Sequence, residues 1–222
     1  MKKLGILFDQ DGTLADSGPG IIRCAKLALN HYGIDREDKD LRVFVGPPLR
    51  DSFLNFGIEE KEVANAIEIY RNEYKDKGIF ENSLYPGILS MLKQLKEDGH
   101  HLYVVTSKPK PMAEKVVEHY GMSPYFDKLY GTSIDKLIAE TKSDLIHRAI
   151  EENKDLVSGF LMVGDTKFDI LGAKGNKIRS VAVLYGYGSE ESIDRAGPDF
   201  KVNNPSELLH LIEFLESDCE ND

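Results

Sequence analysis

The sequence predicts an α/β protein: a parallel, Rossmann-like sheet with helices on both faces, plus a small α-helical unit inserted after the first strand. Three observations carry this. Apolar runs of strand length recur at residues 3–8, 101–106, 159–163 and 180–184. Segments with apolar residues at helical spacing separate most of them, and strands alternating with helices imply a parallel sheet. The exception is residues 33–82, where no convincing central strand is found.

Taken in order, residues 3–8 suit a strand buried on both faces, and they stop at the turn signal Asp9-Gln10-Asp11-Gly12. Ser17 is placed to cap a helix over residues 19–32, with Ile22, Ala25, Leu29 and Tyr32 on one face. Residues 50–56 and 59–76 read as further helices, with Gly46-Pro47-Pro48 as a rigid loop. Alternation resumes after Tyr85-Pro86-Gly87. A helix over 88–97 is closed by Gly99. Strand 101–106 leads to a helix reaching Tyr120, a short strand follows near 127–130, and then a helix over 142–153. Strand 159–163, helix 168–175, strand 180–184, a glycine-rich turn at Gly186 and Gly188, and strand 200–202 complete the alternation. A last helix over 205–215 has Asn204 as its cap and Pro205 in its first position. Residues 1–15 and 84–222 are thereby assigned to the α/β unit, and 16–83 to the helical insert. The acidic residues from 216 to the end are expected to fray.

Composition narrows the function classes. A chain of 222 residues can bury one sizeable core, and 41% hydrophobic with 30% charged residues is ordinary for a soluble protein. The apolar runs are too short to span a bilayer, so no membrane partner is expected. Met1-Lys2-Lys3 leads into a strand-like run that Asp9 interrupts, unlike the apolar stretch of a signal peptide. Cys24 and Cys219 lie far apart in no ligand or disulfide pattern, which points to a reducing, cytoplasmic setting; Cys24 reads as a core residue. The charge of −10 argues against nucleic acid as the main partner, and it means that an anionic substrate needs a local positive site. Monomer and homodimer both stay open.

In open parallel sheets ligands bind beyond the carboxyl ends of the strands. Three strands here end in reactive polar groups: Asp9-Gln10-Asp11, Thr106-Ser107-Lys108 and Gly164-Asp165. Asp9 and Asp11, two residues apart, fall on one side of an extended chain. Like charges held that close need a cation or a shared proton. With Asp165 and Asp169 they form a donor set suited to Mg²⁺, a hard ion held by carboxylates and substrate phosphate. Lys142 begins a helix, where an acidic residue would suit the dipole better, so its cation asks for an anion such as phosphate. Lys108, the Ser107 hydroxyl and the N–H groups of the tight turns are further phosphate donors. Each of these residues alone is more often a solvated turn or surface group. Their agreement at successive strand ends sets them apart. His100-His101 lies at the opposite end of the sheet.

The stretch Phe8-Asp9-Gln10-Asp11-Gly12-Thr13-Leu14 resembles the first signature of the haloacid dehalogenase superfamily, DxDGTL. Val105-Thr106-Ser107-Lys108 resembles its second motif, Lys142 its third, and Gly164-Asp165 through Asp169 its fourth, in the family's order and across nearly the whole chain. Gln10 departs from the apolar residue common there, though its backbone N–H still faces the phosphate side. The insert after the first motif is similar to the small helical cap of the phosphoglycolate phosphatase-like branch. The resemblance implies Asp9 as the nucleophile and Asp11 as the acid and base. It implies Mg²⁺ held by Asp9, the Asp11 backbone carbonyl and Asp165, with Asp169 close by or acting through water. It also implies phosphate gripped by Gln10, Thr106, Ser107 and Lys142, with Lys108 in a less defined role and Thr13 steadying the Asp11 loop. Arg50, after the proline loop, is a candidate for a remote substrate carboxylate or second phosphate.

The expected activity is hydrolysis of a small phosphorylated metabolite through a phospho-aspartate, with a phosphoglycolate-like monoester favoured. A phosphomutase, a nucleotidase or a pyrophosphatase uses the same motifs. A dehalogenase would need neither Asp11 nor the metal. From another class, a phosphoryl-accepting signalling module also combines acidic residues, Ser or Thr and Lys, but it places its acceptor on a later strand. A catalytically silent binding protein would have no use for Asp11.

Overall fold

A computed structural model describes residues 3–133 and 140–219. The outermost part of the acidic terminus, 220–222, lies outside the described residues, as do the side chains of 217–219 and with them Cys219. In chain order the elements are β1 (Gly5–Phe8), β2 (Ala15–Asp16), α1 (Gly18–His31), α2 (Leu49–Asn55), α3 (Val63–Asp76), β3 (Ser83–Leu84), α4 (Ile88–Glu97), β4 (His101–Pro109), α5 (Lys110–His119), β5 (Lys128–Thr132), α6 (Lys142–Asn153), β6 (Phe160–Gly164), α7 (Lys167–Gly175), β7 (Arg179–Val183), α8 (Glu190–Ala196), β8 (Phe200–Val202) and α9 (Pro205–Cys219).

Six strands form one sheet in the order β5-β4-β1-β6-β7-β8, every neighbouring pair parallel. The apolar run of β1 explains its central place. Ile6 and Phe8 enter one core beside Leu92, Leu102 and Leu208, and Leu7 enters the other beside Tyr103, Leu145 and Met162. With both faces buried, neither phase of the strand carries a polar residue until the chain leaves the sheet. Phe8 pairs with Val104 of β4 and with Val163 of β6. β1 and β6 therefore end within a residue of each other while β4 runs on past them to Pro109, and the residues that follow emerge at one edge.

The helical insert has a core of its own. Cys24, Leu29, Phe44, Phe53, Tyr70 and Ile79 are among its buried members, and Val116 of α5 joins them from the α/β side. The chain leaves for this region along β2 and returns along β3. The two pair antiparallel, Ala15 with Leu84 and Asp16 with Ser83, so the outward and inward crossings run side by side. No described helix is long and apolar enough to cross a membrane.

Two details differ from expectation, and one agrees. Ser17 stands at the N-terminus of α1, but its hydroxyl makes no cap bond and is buried without a hydrogen-bond partner among the described residues. Asn204 does cap α9, its Oδ1 accepting the Glu207 N–H at 2.9 Å. Strand β4 runs on to Pro109, with a register shift after Thr106 that keeps Ser107 and Lys108 in extended backbone at the sheet edge.

Candidate active site

Asp9 is the first residue beyond β1. Its N–H donates to the Val163 carbonyl at 2.9 Å, which continues the sheet pairing by one residue and fixes where the side chain starts. The carboxylate Oδ1 accepts the Gln10 N–H at 2.7 Å and lies 2.8 Å from Lys142 Nζ. Lys142 reaches it from the first turn of α6. That turn is set by a capping box: Thr141 Oγ1 accepts the Asp144 N–H at 3.2 Å, and Asp144 Oδ2 accepts the Thr141 N–H at 2.9 Å. The ammonium also donates to the Val105 carbonyl at 3.0 Å and lies 2.9 Å from Asp169 Oδ1.

Asp165 follows β6 and is wholly buried. Its Oδ2 accepts the Tyr187 N–H at 2.7 Å, and the Thr13 hydroxyl lies 3.4 Å from Oδ1. Asp169, in the first turn of α7, is shared. Its Oδ2 accepts the Thr166 N–H at 3.0 Å and the Thr166 hydroxyl at 2.8 Å, while Oδ1 faces Lys142. Asp9, Asp165 and Asp169 each present a carboxylate oxygen within 4.8 Å of the others, all three buried. Gly12 permits this closeness in two ways. Its φ of +84° is a left-handed conformation that side chains avoid, and a Cβ there would lie 2.1 Å from Asp165 Oδ2.

Like charges gathered away from water are disfavoured, and the acidities register it. Burial raises the Asp9 carboxyl, Lys142 pulls it back, and Asp169 and Asp11 add to the rise, leaving it at about 7. Burial, then Asp169 and Asp9, push Asp165 well above the usual carboxylate range. Burial opposes the charge on Lys142, but Asp169 and Asp9 more than offset it and hold the ammonium above the usual lysine range. Three buried carboxylates around a single ammonium fit a divalent cation with a preference for oxygen donors, as Mg²⁺ has.

Asp11 separates from this cluster. Its carboxylate pairs with Lys108 Nζ at 2.6 Å, and that ammonium stands 5.3 Å from the centre of the Tyr74 ring. Lys108 thus holds the Asp11 carboxylate apart from the three clustered ones while it lines the cavity. Gln10 is fully buried and donates from Nε2 to the Ala113 carbonyl at 3.1 Å, so it anchors the loop to α5; its N–H serves the Asp9 carboxylate. Thr106 Oγ1 accepts the Lys108 N–H at 3.2 Å. Ser107 is half-exposed and lines the site, its carbonyl accepting the Thr132 hydroxyl at 3.1 Å.

A cavity of about 510 Å³ stands over these groups. Asp9, Asp11, Thr106, Ser107, Lys108 and Lys142 form its floor, while Phe44, the 46–49 loop, Ile67, Tyr70 and Tyr74 wall it from the helical side. Arg50 lies at its rim, exposed, with the guanidinium paired to Glu60 and 3.8 Å from Asp51. Two participants escaped the sequence reading. The Tyr187 N–H that binds Asp165 belongs to the glycine-rich turn after β7, where the glycines were the available signal. Arg71 of α3 lines the cavity with nothing in its sequence context to mark it.

Residues 6–183 match the family described as haloacid dehalogenase-like hydrolase. A 5′-nucleotidase from Pseudomonas aeruginosa is 36% identical over 214 residues, covering 96% of this chain and 95% of that protein. A phosphoglycolate phosphatase from Vibrio parahaemolyticus is 30% identical over 218 residues, covering 93% and 95%. Among solved structures, that of a predicted phosphatase from Clostridium acetobutylicum superposes with a TM-score of 0.89 at 39% identity, covering 97% of this chain and all of the other.

Proposed function

The chain belongs to the haloacid dehalogenase-like hydrolase family, and on that footing we propose that it frees phosphate from a small phosphorylated metabolite through a covalent phosphoryl group on Asp9, with Mg²⁺ as cofactor. The observation that carries this reading is the meeting of buried Asp9, Asp165 and Asp169 around Lys142, with Asp9 and Lys142 opening onto the floor of the cavity.

The chemistry follows from what each group can do. The Asp9 carboxylate attacks phosphorus, an Asp9 O–P bond forms, and the bond from phosphorus to the leaving oxygen breaks. Asp11, one step along the same turn, supplies the proton which that oxygen needs. It then takes a proton from the water that cleaves the acyl phosphate, returning Asp9 as a carboxylate and freeing phosphate. Lys108 Nζ, 2.6 Å from Asp11 Oδ1, fixes the orientation of the Asp11 carboxyl in the cavity. Lys142 keeps the Asp9 oxygen oriented and shares the charge that builds on the phosphoryl oxygens. The Thr106 and Ser107 hydroxyls and the Asp11 N–H are the neutral donors on the same floor. Asp9, Asp165 and Asp169, with the Asp11 carbonyl, are the residues to hold Mg²⁺, whose charge would neutralise the transferring phosphoryl group and let Asp9 stay ionised near pH 7.

The relatives' names bring two kinds of monoester to this chain, a phosphoglycolate-like acid and a nucleoside 5′-monophosphate. The reading is tested by phosphate release from a panel of phosphorylated metabolites, with Mg²⁺ and with chelator, together with mass spectrometry of acid-quenched enzyme. Turnover that needs Mg²⁺, and a phosphoryl group on the peptide holding Asp9, are the expected results. Turnover with no phosphorylated Asp9 under any quench, or activity untouched by exhaustive chelation, would overturn it.

A further inference from the structure

The cavity over Asp9 is larger than phosphate and a two-carbon acid require. At about 510 Å³ it falls within the ~300–1,000 Å³ range of pockets that enclose drug-sized molecules. A two-carbon acid would leave most of that space to water, directly above an acyl phosphate that water must not reach early. The far walls are apolar and aromatic, with Phe44, Ile67, Tyr70 and Tyr74 from the helical side and Met112 and Phe168 from the sheet side. Such walls suit a flat, uncharged ring.

Four cations line this cavity, and three are engaged. Lys142 pairs with Asp9 and Asp169, Lys108 with Asp11, and Arg50 with Glu60 and Asp51. Arg71 is the fourth. It is half-buried on α3, next to Tyr70 and one turn from Tyr74, and it makes no ion pair or hydrogen bond with any described residue. Acidic residues outnumber basic ones 38 to 28 in this chain, so an arginine left without a carboxylate is notable. Withdrawing a guanidinium from water costs free energy that acceptors must restore. Its planar fork matches the paired acceptors on the edge of a ring, in the way arginine grips a purine edge.

We propose that Arg71 determines specificity by receiving the acceptor edge of the base in a nucleoside 5′-monophosphate, whose ring lies among the aromatic walls while its phosphate rests on the Asp9 floor. This rests on the phosphatase reading above. Arg50, held by Glu60 at the rim, is then a surface pair and not the selecting group.

The test compares wild type, Arg71→Met and Arg71→Lys on adenosine, guanosine and uridine 5′-monophosphates, phosphoglycolate and p-nitrophenyl phosphate, with thermal melting to check folding. Arg71→Met should lower kcat/KM on the preferred nucleotide by about 10- to 100-fold, the loss of a charge-assisted hydrogen-bond pair. Most of that should appear in KM, with p-nitrophenyl phosphate and phosphoglycolate within about 2-fold of wild type. Arg71→Lys, which keeps the charge but not the fork, should recover only part. Equal losses on every substrate, a loss confined to phosphoglycolate, or no loss on nucleotides would each overturn the assignment. Calorimetric binding of the same nucleotides to Asp9→Asn, with and without Arg71→Met, decides independently of turnover. If wild type releases no phosphate from any compound, the phosphatase reading falls, and the calorimetry still judges Arg71: weaker nucleotide binding on its loss supports it, and unchanged binding refutes it.

Discussion

Asp9 and Asp11 stand two residues apart yet face different partners, Lys142 and Lys108, and the two roles proposed for them can be tested apart. Asp9 sits against Lys142 with an oxygen fixed by the Gln10 N–H, the posture of a nucleophile. In Asp9→Asn the amide keeps the shape but cannot form the acyl phosphate. We expect kcat to fall by at least about 10³-fold. Melting in chelator should be unchanged or higher, because one of three buried like charges is gone. Turnover comparable to wild type would end the nucleophile assignment. Asp11→Asn should lower kcat on an alkyl phosphate by about 10²–10⁴-fold. The loss should be much smaller on p-nitrophenyl phosphate, whose leaving group departs without a proton, and equal losses on the two would remove Asp11 as the acid. The meeting of Asp9 and Asp165 was legible in the sequence because the sheet does the gathering: β1 and β6 end within a residue of each other and deliver their next residues together. Partners were not. Nothing in Lys108 announces that it will pair with Asp11, and nothing marks Arg71 as lining the cavity, because a helical insert fixes no register against the sheet, so which turn of which helix overlooks the floor cannot be counted from the chain.

At the level of elements, the long apolar strands and the amphipathic helices were readable because burial repeats along them with a period. The ribbon of β2 and β3 was not, since two residues per strand carry no period. Helix α8 was missed for a related reason: four of its seven residues are charged and only Ile193 and Ala196 are buried. Between β7 and α8 lies a segment whose importance only the fold exposes. A Cβ on Gly186 would stand 2.3 Å from the Asp165 Cβ, 2.4 Å from its Oδ2 and 2.4 Å from the Gly12 carbonyl, so the turn must be bare where it crosses the first motif. Gly186→Ala is therefore expected to displace Asp165 without touching a reacting group. The Mg²⁺ concentration for half-maximal activity should rise about 10-fold or more, the range seen when groups that orient metal ligands are disturbed. Gly159→Ala, whose new methyl would meet only Leu4 at 3.9 Å, is the control and should leave that concentration unchanged. An unaltered Mg²⁺ requirement in Gly186→Ala would show that Asp165 does not hold the ion.

For the whole molecule, the cluster proposed to serve catalysis is a charge imbalance buried in the core, and it should be visible in stability. The folded Asp9 carboxyl binds its proton up to about pH 7, against 3.8 for the free group, and Asp165 is displaced the same way. Between those values the folded state holds protons that the unfolded chain has released, so stability is fully present below about pH 4 and declines as pH rises toward 7. A displacement of that size in Asp9 alone corresponds to about 4 kcal/mol. His100, whose pKa burial lowers, works in the opposite sense: its contribution is lost as pH falls through its ordinary range. It sits near Glu216 and takes no part in the cluster, so a comparison with and without metal cancels it. Lys142 adds nothing in this window, because its loss of charge lies above the ordinary lysine range. In the mechanism proposed above Mg²⁺ would bind the ionised carboxylates, so its stabilisation should grow as the protons leave. Melting followed from pH 5.5 to 8 should show a small Mg²⁺ increment at the acid end and one of roughly 5 °C or more at the alkaline end, where 1 kcal/mol corresponds to about 2–4 °C for a chain of this size. Asp165→Asn should flatten the increment across the range. An Mg²⁺ effect of the same size at both ends, or one that survives Asp165→Asn, would mean that the ion stabilises the protein somewhere other than at these three carboxylates.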